Sequence, residues 1–209
     1  MRRFTPETTA LIVIDVQNDF CPGGALAVPA GHEVIDPINR LIRNFDNVVL
    51  TQDWHPADHS SFASTQPGAD PFSTHEMHYG PQTLWPDHCV QGTPGAEFHE
   101  ELLHQEAQVI IRKGSRKHVD SYSAFFENDH KTTTGLAGYL HERGLTELLL
   151  TGLATDFCVA YSALDAARLG FKTTVAMNAC RHIDLNGSLS EAERQMRDAG
   201  VALVDISTV

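Results

Sequence analysis

Ala10-Leu11-Ile12-Val13-Ile14, followed directly by Asp15, is the stretch of sequence that decides the fold. It is apolar at every position, as a strand buried on both faces of a parallel sheet requires. Five further runs rich in branched apolar residues follow along the chain, at residues 47–51, 108–112, 147–151, 172–176 and 201–206. We therefore interpret all six runs as near-continuous buried strands.

Helical patterns separate several of these strands, at residues 32–43, 133–143, 156–169 and 189–198. Gly144, Gly170 and Gly200 stand just past three of them, where glycine commonly ends a helix. Alternation of strands and helices predicts right-handed crossovers and a sheet covered on both faces. The predicted fold is three-layer α/β, with an open, mostly parallel six-stranded sheet of the Rossmann-like kind.

Length and charge narrow the class of protein. The 209 residues are enough for a single domain, predicted to span 1–209. A net charge of -12 argues against nucleic acid or an anionic membrane as partner. No apolar run has the length needed to cross a bilayer, and four scattered cysteines are typical of reduced thiols. We expect a cytoplasmic protein with a small-molecule substrate; the open sheet edge permits a homo-oligomer.

The stretch from about residue 54 to 95 interrupts the strand–helix alternation. It is crowded with Pro, Gly, His, Asp and Ser and has no helical period. A disordered loop is one reading, but aromatic residues such as Phe62, Phe72 and Trp85 offer anchors that disordered segments lack. A long irregular segment inside a domain is usually functional. We interpret it as a functional insertion.

Reactive side chains follow four of the predicted strands. Asp15 follows the first strand, Asp53 the second, Lys113 the third and Cys158 the fourth. In open α/β sheets, ligands bind beyond the carboxyl ends of the strands. An acid, a second acid, a base and a thiol at one sheet edge predict a reactive site.

Cys158 is the candidate nucleophile, since it follows a strand-to-helix turn at residues 152–157. Thr155 or Asp156 is suited to cap the helix, whose positive end would favour thiolate. The free N–H groups there could hold an oxyanion. An inert buried cysteine is the alternative, and we interpret the other three in that way: Cys21, Cys89 and Cys180.

Asp15 and Lys113 are the candidate partners of this thiol. Desolvation at the end of an apolar strand would make Asp15 a protonatable carboxyl able to act as base and then acid. A cation at Lys113 would stabilise both the carboxylate and the thiolate. Taken singly, Asp15 could be a turn cap and Lys113 a solvated strand end.

A metal site is indicated by Asp53-Trp54-His55, because residues two apart on an extended segment point the same way. His88 lies downstream, and a third loop ligand would complete a facial set suited to Zn, Fe or Mn. Spacing alone leaves four competing ligands open: His59, Ser61, His75 and His78. A structural zinc site on His88 and Cys89 is an alternative without a Cys-x-x-Cys pair to support it.

Six segments together resemble one family. They are IDVQNDF at 14–20, TQDWHP at 51–56, WPDHCVQGT at 85–93, RKG at 112–114, DSYSAF at 120–125 and GLATDFCV at 152–159. The chain resembles, essentially end to end, the nicotinamidase/pyrazinamidase branch of the isochorismatase-like hydrolases. The Asp-Trp-His and Trp-Pro-Asp-His-Cys elements resemble the metal-bearing branch. His182 departs from the family pattern, where a glycine is expected.

The resemblance implies roles for individual residues. It implies a catalytic triad of Asp15, Lys113 and Cys158. It implies an oxyanion hole at the backbone of Ala154 and Cys158, and a cis peptide bond between Leu153 and Ala154. The remaining implied positions are the metal ligands Asp53, His55 and His88, with Ser61 or His59 as a further ligand, and the pyridine pocket of Phe20, Trp85 and Tyr122.

The same resemblance implies an activity. It is conversion of nicotinamide to nicotinate and ammonia through a thioester on Cys158, in NAD salvage, with pyrazinamide as a second substrate. One divalent metal ion is implied, zinc ahead of iron or manganese. The alternatives are hydrolysis of another small amide, such as a ureido or carbamoyl compound, and a catalytically silent metal-binding relative.

Overall fold

The computed structural model describes residues 4–206, so three residues at each end of the predicted 1–209 domain lie outside the described part. It contains eight strands: β1 Thr9–Ile14, β2 Val48–Asp53, β3 Thr74–Met77, β4 Gly80–Thr83, β5 Val109–Lys113, β6 Glu147–Leu153, β7 Lys172–Arg181 and β8 Ala202–Val204. Its α-helices are α1 Ile35–Ile42, α2 Leu136–Glu142, α3 Ala160–Arg168 and α4 Ser188–Asp198.

Six of the strands form one sheet in the order β5-β2-β1-β6-β7-β8, and every neighbouring pair is parallel. The predicted open six-stranded sheet and three-layer α/β fold are therefore confirmed. The chain builds outward from β1 to β2 and β5, and then returns to β6 on the other side of β1. The strand order reverses between β1 and β6, which is where ligands bind in sheets of this kind.

Two hydrophobic cores hold helices against the two faces of the sheet. The continuous apolar run of β1 serves both, since its side chains alternate: Leu11 and Val13 pack toward α1, whereas Ile12 and Ile14 pack toward α2, α3 and α4. All four side chains are buried, and each contributes about 1.5–3 kcal/mol to folding on that account. The run is apolar throughout because neither face meets water.

The edge strands differ from the expectation of near-continuous burial. In β5 exposed and covered positions alternate, and the side chain of Ile110 is 44% exposed. Strand β8 is only half-buried. Each of them has a sheet neighbour on one side only, so the outer flank lacks a covering strand.

The long insertion is ordered and contains structure that the sequence did not predict. Strands β3 and β4 pair as an antiparallel hairpin separate from the main sheet. Phe62 and Trp85 are buried anchors, as expected, but Phe72 is 44% exposed. Among the described residues, no helix has the length and apolar character needed to cross a bilayer.

Candidate active site

Lys113 lies at the centre of the groups that follow the strands. Its Nζ is 2.9 Å from Asp15 Oδ2, 3.0 Å from Asp53 Oδ1 and 3.6 Å from Cys158 Sγ. It also donates to the carbonyl oxygen of Ser121 at 2.9 Å. Since these side chains are buried, the cation and its partners interact in a medium that screens charge weakly. The structure thus brings together all four residues predicted at this sheet edge.

Parallel register explains why the four groups meet. Asp53 is paired with Lys113 at the ends of β2 and β5, and Ile14 is paired with Gly152 where β1 and β6 end. Asp15 has a φ of 51°, in the left-handed region that Asp tolerates better than most residues. This conformation turns the chain directly after β1. Thr51 then fixes the carboxyl by donating to Asp15 Oδ1 at 2.6 Å.

Burial and the two carboxylates set the charge states around Lys113. Burial alone would lower the pKa of Lys113, but Asp15 and Asp53 raise it well above its usual range. Burial raises the pKa of Asp15, and Lys113 offsets only part of that rise. For Asp53, burial is outweighed by His55 and Lys113, which hold its pKa well below its usual range. Lys113 is therefore a stable cation, and of the two acids Asp15 is the one suited to take up a proton.

The turn that carries Cys158 is wound more loosely than an α-helix. Residues Thr155–Val159 form a single π-helical turn before α3 begins, and the Leu153–Ala154 peptide bond is cis. Neither Thr155 nor Asp156 caps it, so the expected side-chain cap is wrong.

Asp156 instead holds a neighbouring loop. Its carboxylate accepts hydrogen bonds from Ile183 N at 3.1 Å, Asp184 N at 2.7 Å and Ser188 Oγ at 2.5 Å. These partners satisfy the carboxylate away from the helix terminus. The bonds bring Ile183 to the pocket wall, next to the unusual His182.

Burial opposes the thiolate that the helix terminus is expected to favour at Cys158. Burial raises the pKa of the Cys158 thiol well above its ordinary range, and the nearby Lys113 cation lowers it only in part. Asp15, Asp53 and a hydrogen bond with Asp15 raise the pKa further. These surroundings favour the neutral thiol over the thiolate, and the thiol lies beside a carboxyl able to accept its proton.

Asp53, His55 and His88 form a cluster that can hold a metal ion. Asp53 Oδ2 lies 2.9 Å from His55 Nε2 and 3.4 Å from His88 Nε2. The outer ring nitrogens face backbone carbonyls: His55 Nδ1 is 2.9 Å from Gly114 O and His88 Nδ1 is 2.7 Å from Pro86 O. Carbonyl partners of this kind orient metal-binding histidines with the opposite nitrogen inward, so these residues fit a divalent ion.

Gly114 makes the His55 position sterically accessible. Its φ is 63°, and a Cβ at this position would overlap the His55 ring. A glycine directly after Lys113 therefore serves two needs, since it permits the left-handed backbone and leaves room for the imidazole. The short Arg-Lys-Gly stretch thereby supports both the thiol group and the histidine cluster.

Ser61 and His59, the two candidates for a further metal ligand, are buried and hydrogen-bonded to each other. His59 Nδ1 lies 2.7 Å from Ser61 Oγ, and His59 Nε2 lies 3.2 Å from Val119 O, so both ring nitrogens have partners. His59 also lies close to His55 and Asp120, in a second group with metal-binding potential. The other two candidates, His75 and His78, are exposed and lie at the hairpin.

One pocket connects the thiol with the histidine cluster. It is lined by both Cys158 and His88, and the predicted aromatic residues Phe20, Trp85 and Tyr122 form part of its wall. Ala154, predicted for the oxyanion hole, lines it too. Sequence reasoning missed four further lining residues: Leu26, Asp120, Phe157 and Ile183. Asp120 and Phe157 stand inside the recognised motifs, which was the available signal.

A buried thiol, a carboxyl and a lysine beside a metal-ligand cluster, on a Rossmann-like sheet, are typical of an amide hydrolase with a cysteine nucleophile. The family model described as the isochorismatase domain matches residues 9–208. The chain belongs to the isochorismatase family and, within it, to the nicotinamidase/pyrazinamidase branch.

Three relatives illustrate this membership. A nicotinamidase of Acinetobacter baylyi is 55% identical over 192 residues, which cover 92% of this chain and 90% of the relative. The structure of a nicotinamidase/pyrazinamidase from Acinetobacter baumanii matches with a TM-score of 0.95 and 56% identity, covering 97% of this chain and 98% of that one. A pyrazinamidase of Pyrococcus horikoshii, solved in complex with zinc, matches with a TM-score of 0.77 and 37% identity, covering 95% and 99%.

Proposed function

We propose that the protein is a nicotinamidase, which hydrolyses nicotinamide to nicotinate and ammonia and accepts pyrazinamide as a second substrate. The observation that carries the proposal is the position of Cys158. Its thiol lies beside Lys113 and Asp15 in a pocket with aromatic walls and a metal-ligand cluster. The similarity to nicotinamidases over most of both chains supports the same conclusion.

Acylation begins with the thiol proton. Asp15 takes the proton from Cys158 Sγ as the sulfur attacks the carboxamide carbon, forming a C–S bond and a tetrahedral oxyanion. The backbone N–H groups of Ala154 and Cys158 receive that oxyanion, since both residues line the pocket. Asp15 returns its proton to the departing nitrogen as the C–N bond breaks, which releases ammonia and leaves a thioester.

Deacylation reuses the same carboxyl. Asp15 accepts a proton from water, and the hydroxide attacks the thioester carbon. As the C–S bond breaks, Asp15 returns its proton to the sulfur, which regenerates the thiol, and the released acid loses its proton to water to give nicotinate. Lys113 stays protonated throughout and stabilises the negative charge that moves between Asp15 and Cys158, because both lie within 3.6 Å of its Nζ.

Asp53, His55 and His88 are the proposed ligands of one divalent metal ion, for which zinc is our choice ahead of iron or manganese. Their inward-facing nitrogens and shared carboxylate support this assignment. When bound, the ion supplies a Lewis acid that can hold the pyridine nitrogen of the substrate. Trp85 and Tyr122, whose rings meet edge to face at 6.1 Å, form one wall against which the substrate ring packs, with the carboxamide toward Cys158.

NAD salvage in the cytoplasm is the proposed setting of the reaction. All four cysteines are free thiols in the structure, as a reducing compartment would keep them. The product nicotinate carries the intact pyridine ring, so the reaction suits a route that reuses this ring for the cofactor.

Ammonia release from nicotinamide tests the proposal. The purified, zinc-loaded protein should release ammonia, and Cys158→Ala should lose about a thousandfold or more in turnover. Cys180→Ala, which removes a buried thiol outside the pocket lining, is the matched control and should keep its turnover. Absence of release from the intact protein would refute nicotinamidase activity and favour the ureido or carbamoyl class, and substantial turnover by Cys158→Ala would refute the nucleophile.

A further inference from the structure

Gln82 is the buried member of an otherwise accessible hairpin. Of the eight residues in β3 and β4, only Gln82 is buried, with 1% of its surface exposed. A buried amide must find partners for its oxygen and its two N–H bonds. Two of its partners, Thr83 and Tyr79, belong to the hairpin, and the other three, Asp120, Tyr122 and Asn128, lie on the segment beside the pocket.

The carboxylate of Asp120 determines which way this amide points. Three acceptors surround Gln82 Nε2: Asp120 Oδ2 at 2.8 Å, Tyr122 Oη at 2.7 Å and the carbonyl oxygen of Thr83 at 2.8 Å. On the other side, Gln82 Oε1 accepts from Asn128 Nδ2 at 3.0 Å and from Tyr79 Oη at 3.2 Å. The reverse orientation would place an amide oxygen against a carboxylate that can only accept, so the donors face the pocket.

The Tyr122 hydroxyl group links Gln82 to Trp85 in the aromatic wall of the pocket. Its hydroxyl oxygen accepts from Gln82 and also from Trp85 Nε1 at 3.0 Å. The two rings meet edge to face at 81°, and Phe157 packs edge-on against both. The angle between Trp85 and Tyr122 thus depends on one shared hydroxyl group whose second donor is Gln82.

We propose that Gln82 is a positioning residue: it fixes the orientation of Tyr122 and Trp85 in the aromatic wall of the substrate pocket. The inference rests on the proposed function, since it assumes that a pyridine ring packs against the wall that these side chains form. Gln82 has no hydrogen bond with Asp15, Lys113 or Cys158. Its loss therefore weakens binding of the ring while leaving the groups that make and break bonds in place.

Gln82→Glu is the sharpest variant, because it keeps the length and the acceptor oxygen but replaces the donor that faces Asp120 and Tyr122. The KM for nicotinamide should rise about tenfold, as expected for one lost charge-assisted hydrogen bond, with kcat changed by less than about threefold. Tyr79→Phe is the matched control: it removes a donor from the other side of the same amide and should leave KM unchanged.

Tyr122→Phe tests the same proposal if the Gln82→Glu variant does not fold. This variant keeps the ring but deletes the hydroxyl between Gln82 and Trp85, so KM should rise in the same way. In the double variant the effects should be non-additive, because both changes break one chain of hydrogen bonds. A folded Gln82→Glu protein with wild-type KM, or one that loses kcat at constant KM, would overturn the inference.

A substrate-free measurement separates this inference from the proposed function. Trp54 and Trp85 are the two tryptophans, so a Trp54→Phe background reports Trp85 fluorescence alone. Gln82→Glu should shift that emission, and Tyr79→Phe should not. If the wild type releases no ammonia from nicotinamide, the proposed function fails but the emission shift still supports Gln82 as the residue that positions Trp85. An unchanged emission would refute it.

Discussion

The ammonium group of Lys113 lies 3.0 Å from Oδ1 of Asp53. The other oxygen of the same carboxylate lies 2.9 Å from His55 Nε2, in the metal-ligand cluster. Because Lys113 also pairs with Asp15 at 2.9 Å, one cation joins the thiol group to the histidine cluster. A change of charge at Asp15 or at His55 therefore alters the electrostatic environment of the other residue through Lys113 and Asp53.

Lys113→Met should destabilise the protein strongly. Removing the buried cation leaves Asp15 and Asp53 without their compensating charge, which costs about 3–5 kcal/mol of unfolding free energy. Urea unfolding of metal-stripped protein measures this loss. Lys117→Met is the control, since the ion pair of Lys117 with Asp58 is exposed and should contribute nothing measurable. Equal unfolding curves for the two variants would contradict the central role of Lys113.

Gly114→Ala should weaken metal binding without removing a ligand. The added Cβ overlaps the His55 ring, so the imidazole must leave the position fixed by its bond to Gly114 O. We expect zinc affinity to fall about 10–100-fold, as for the loss of other interactions that orient a ligand.

Competition with a chromophoric chelator measures this affinity, and His88→Ala should lower it further. His75→Ala, on the exposed hairpin, is the control and should bind zinc like the wild type. Wild-type affinity in His88→Ala would remove His88 from the ligand set.

Benzamide should be a poor substrate. It has the carboxamide and a ring of the same size but lacks the ring nitrogen proposed to meet the metal ion, so kcat/KM should fall about a hundredfold or more relative to nicotinamide. Pyrazinamide keeps a ring nitrogen at the corresponding place and should be hydrolysed. Equal rates for benzamide and nicotinamide would show that the metal site does not anchor the ring.

Alkylation of Cys158 should accelerate with pH. Burial raises the pKa of the thiol and Lys113 offsets this only in part, so the neutral thiol predominates at pH 7 and the thiolate fraction grows as pH rises. The iodoacetamide rate on substrate-free protein should increase about tenfold per pH unit between neutral pH and the pKa. Subtracting the rate of Cys158→Ala isolates this site. A rate that is already maximal at pH 7 would indicate a preformed thiolate.

Sequence reasoning predicted the centre of the molecule better than its periphery. The runs at β1, β2 and β6 are apolar on both faces, and this composition is what a central parallel strand requires. The hairpin was missed because Thr74, His75 and Glu76 are exposed, so no alternation of apolar residues marks it. Strand β7 runs to Arg181, five residues beyond its apolar run, where a shift in register against β6 breaks the simple pattern.

For the site residues, the sequence predicted positions but not charge states or hydrogen bonds. Strand ends located Asp15, Asp53, Lys113 and Cys158, because parallel strands deliver their last residues to one edge. The charge state of Cys158 and the hydrogen bonds of Asp156 were not predictable from position. They depend on desolvation and on a loop at Ile183 that is distant in sequence.

The return of the chain to the middle of the sheet divides the reactive groups between two stretches of polypeptide. Asp15, Lys113 and the three proposed ion ligands all precede residue 115, whereas Cys158 arrives only with β6, which pairs with β1 from Thr9↔Glu147 to Ile14↔Gly152. During synthesis from the amino end, Asp15, Lys113 and the proposed ion ligands are therefore all added to the chain before the nucleophile. The last strand to join the centre thus brings the thiol to the base and the proposed ion ligands, and neither portion of the chain can be an enzyme by itself.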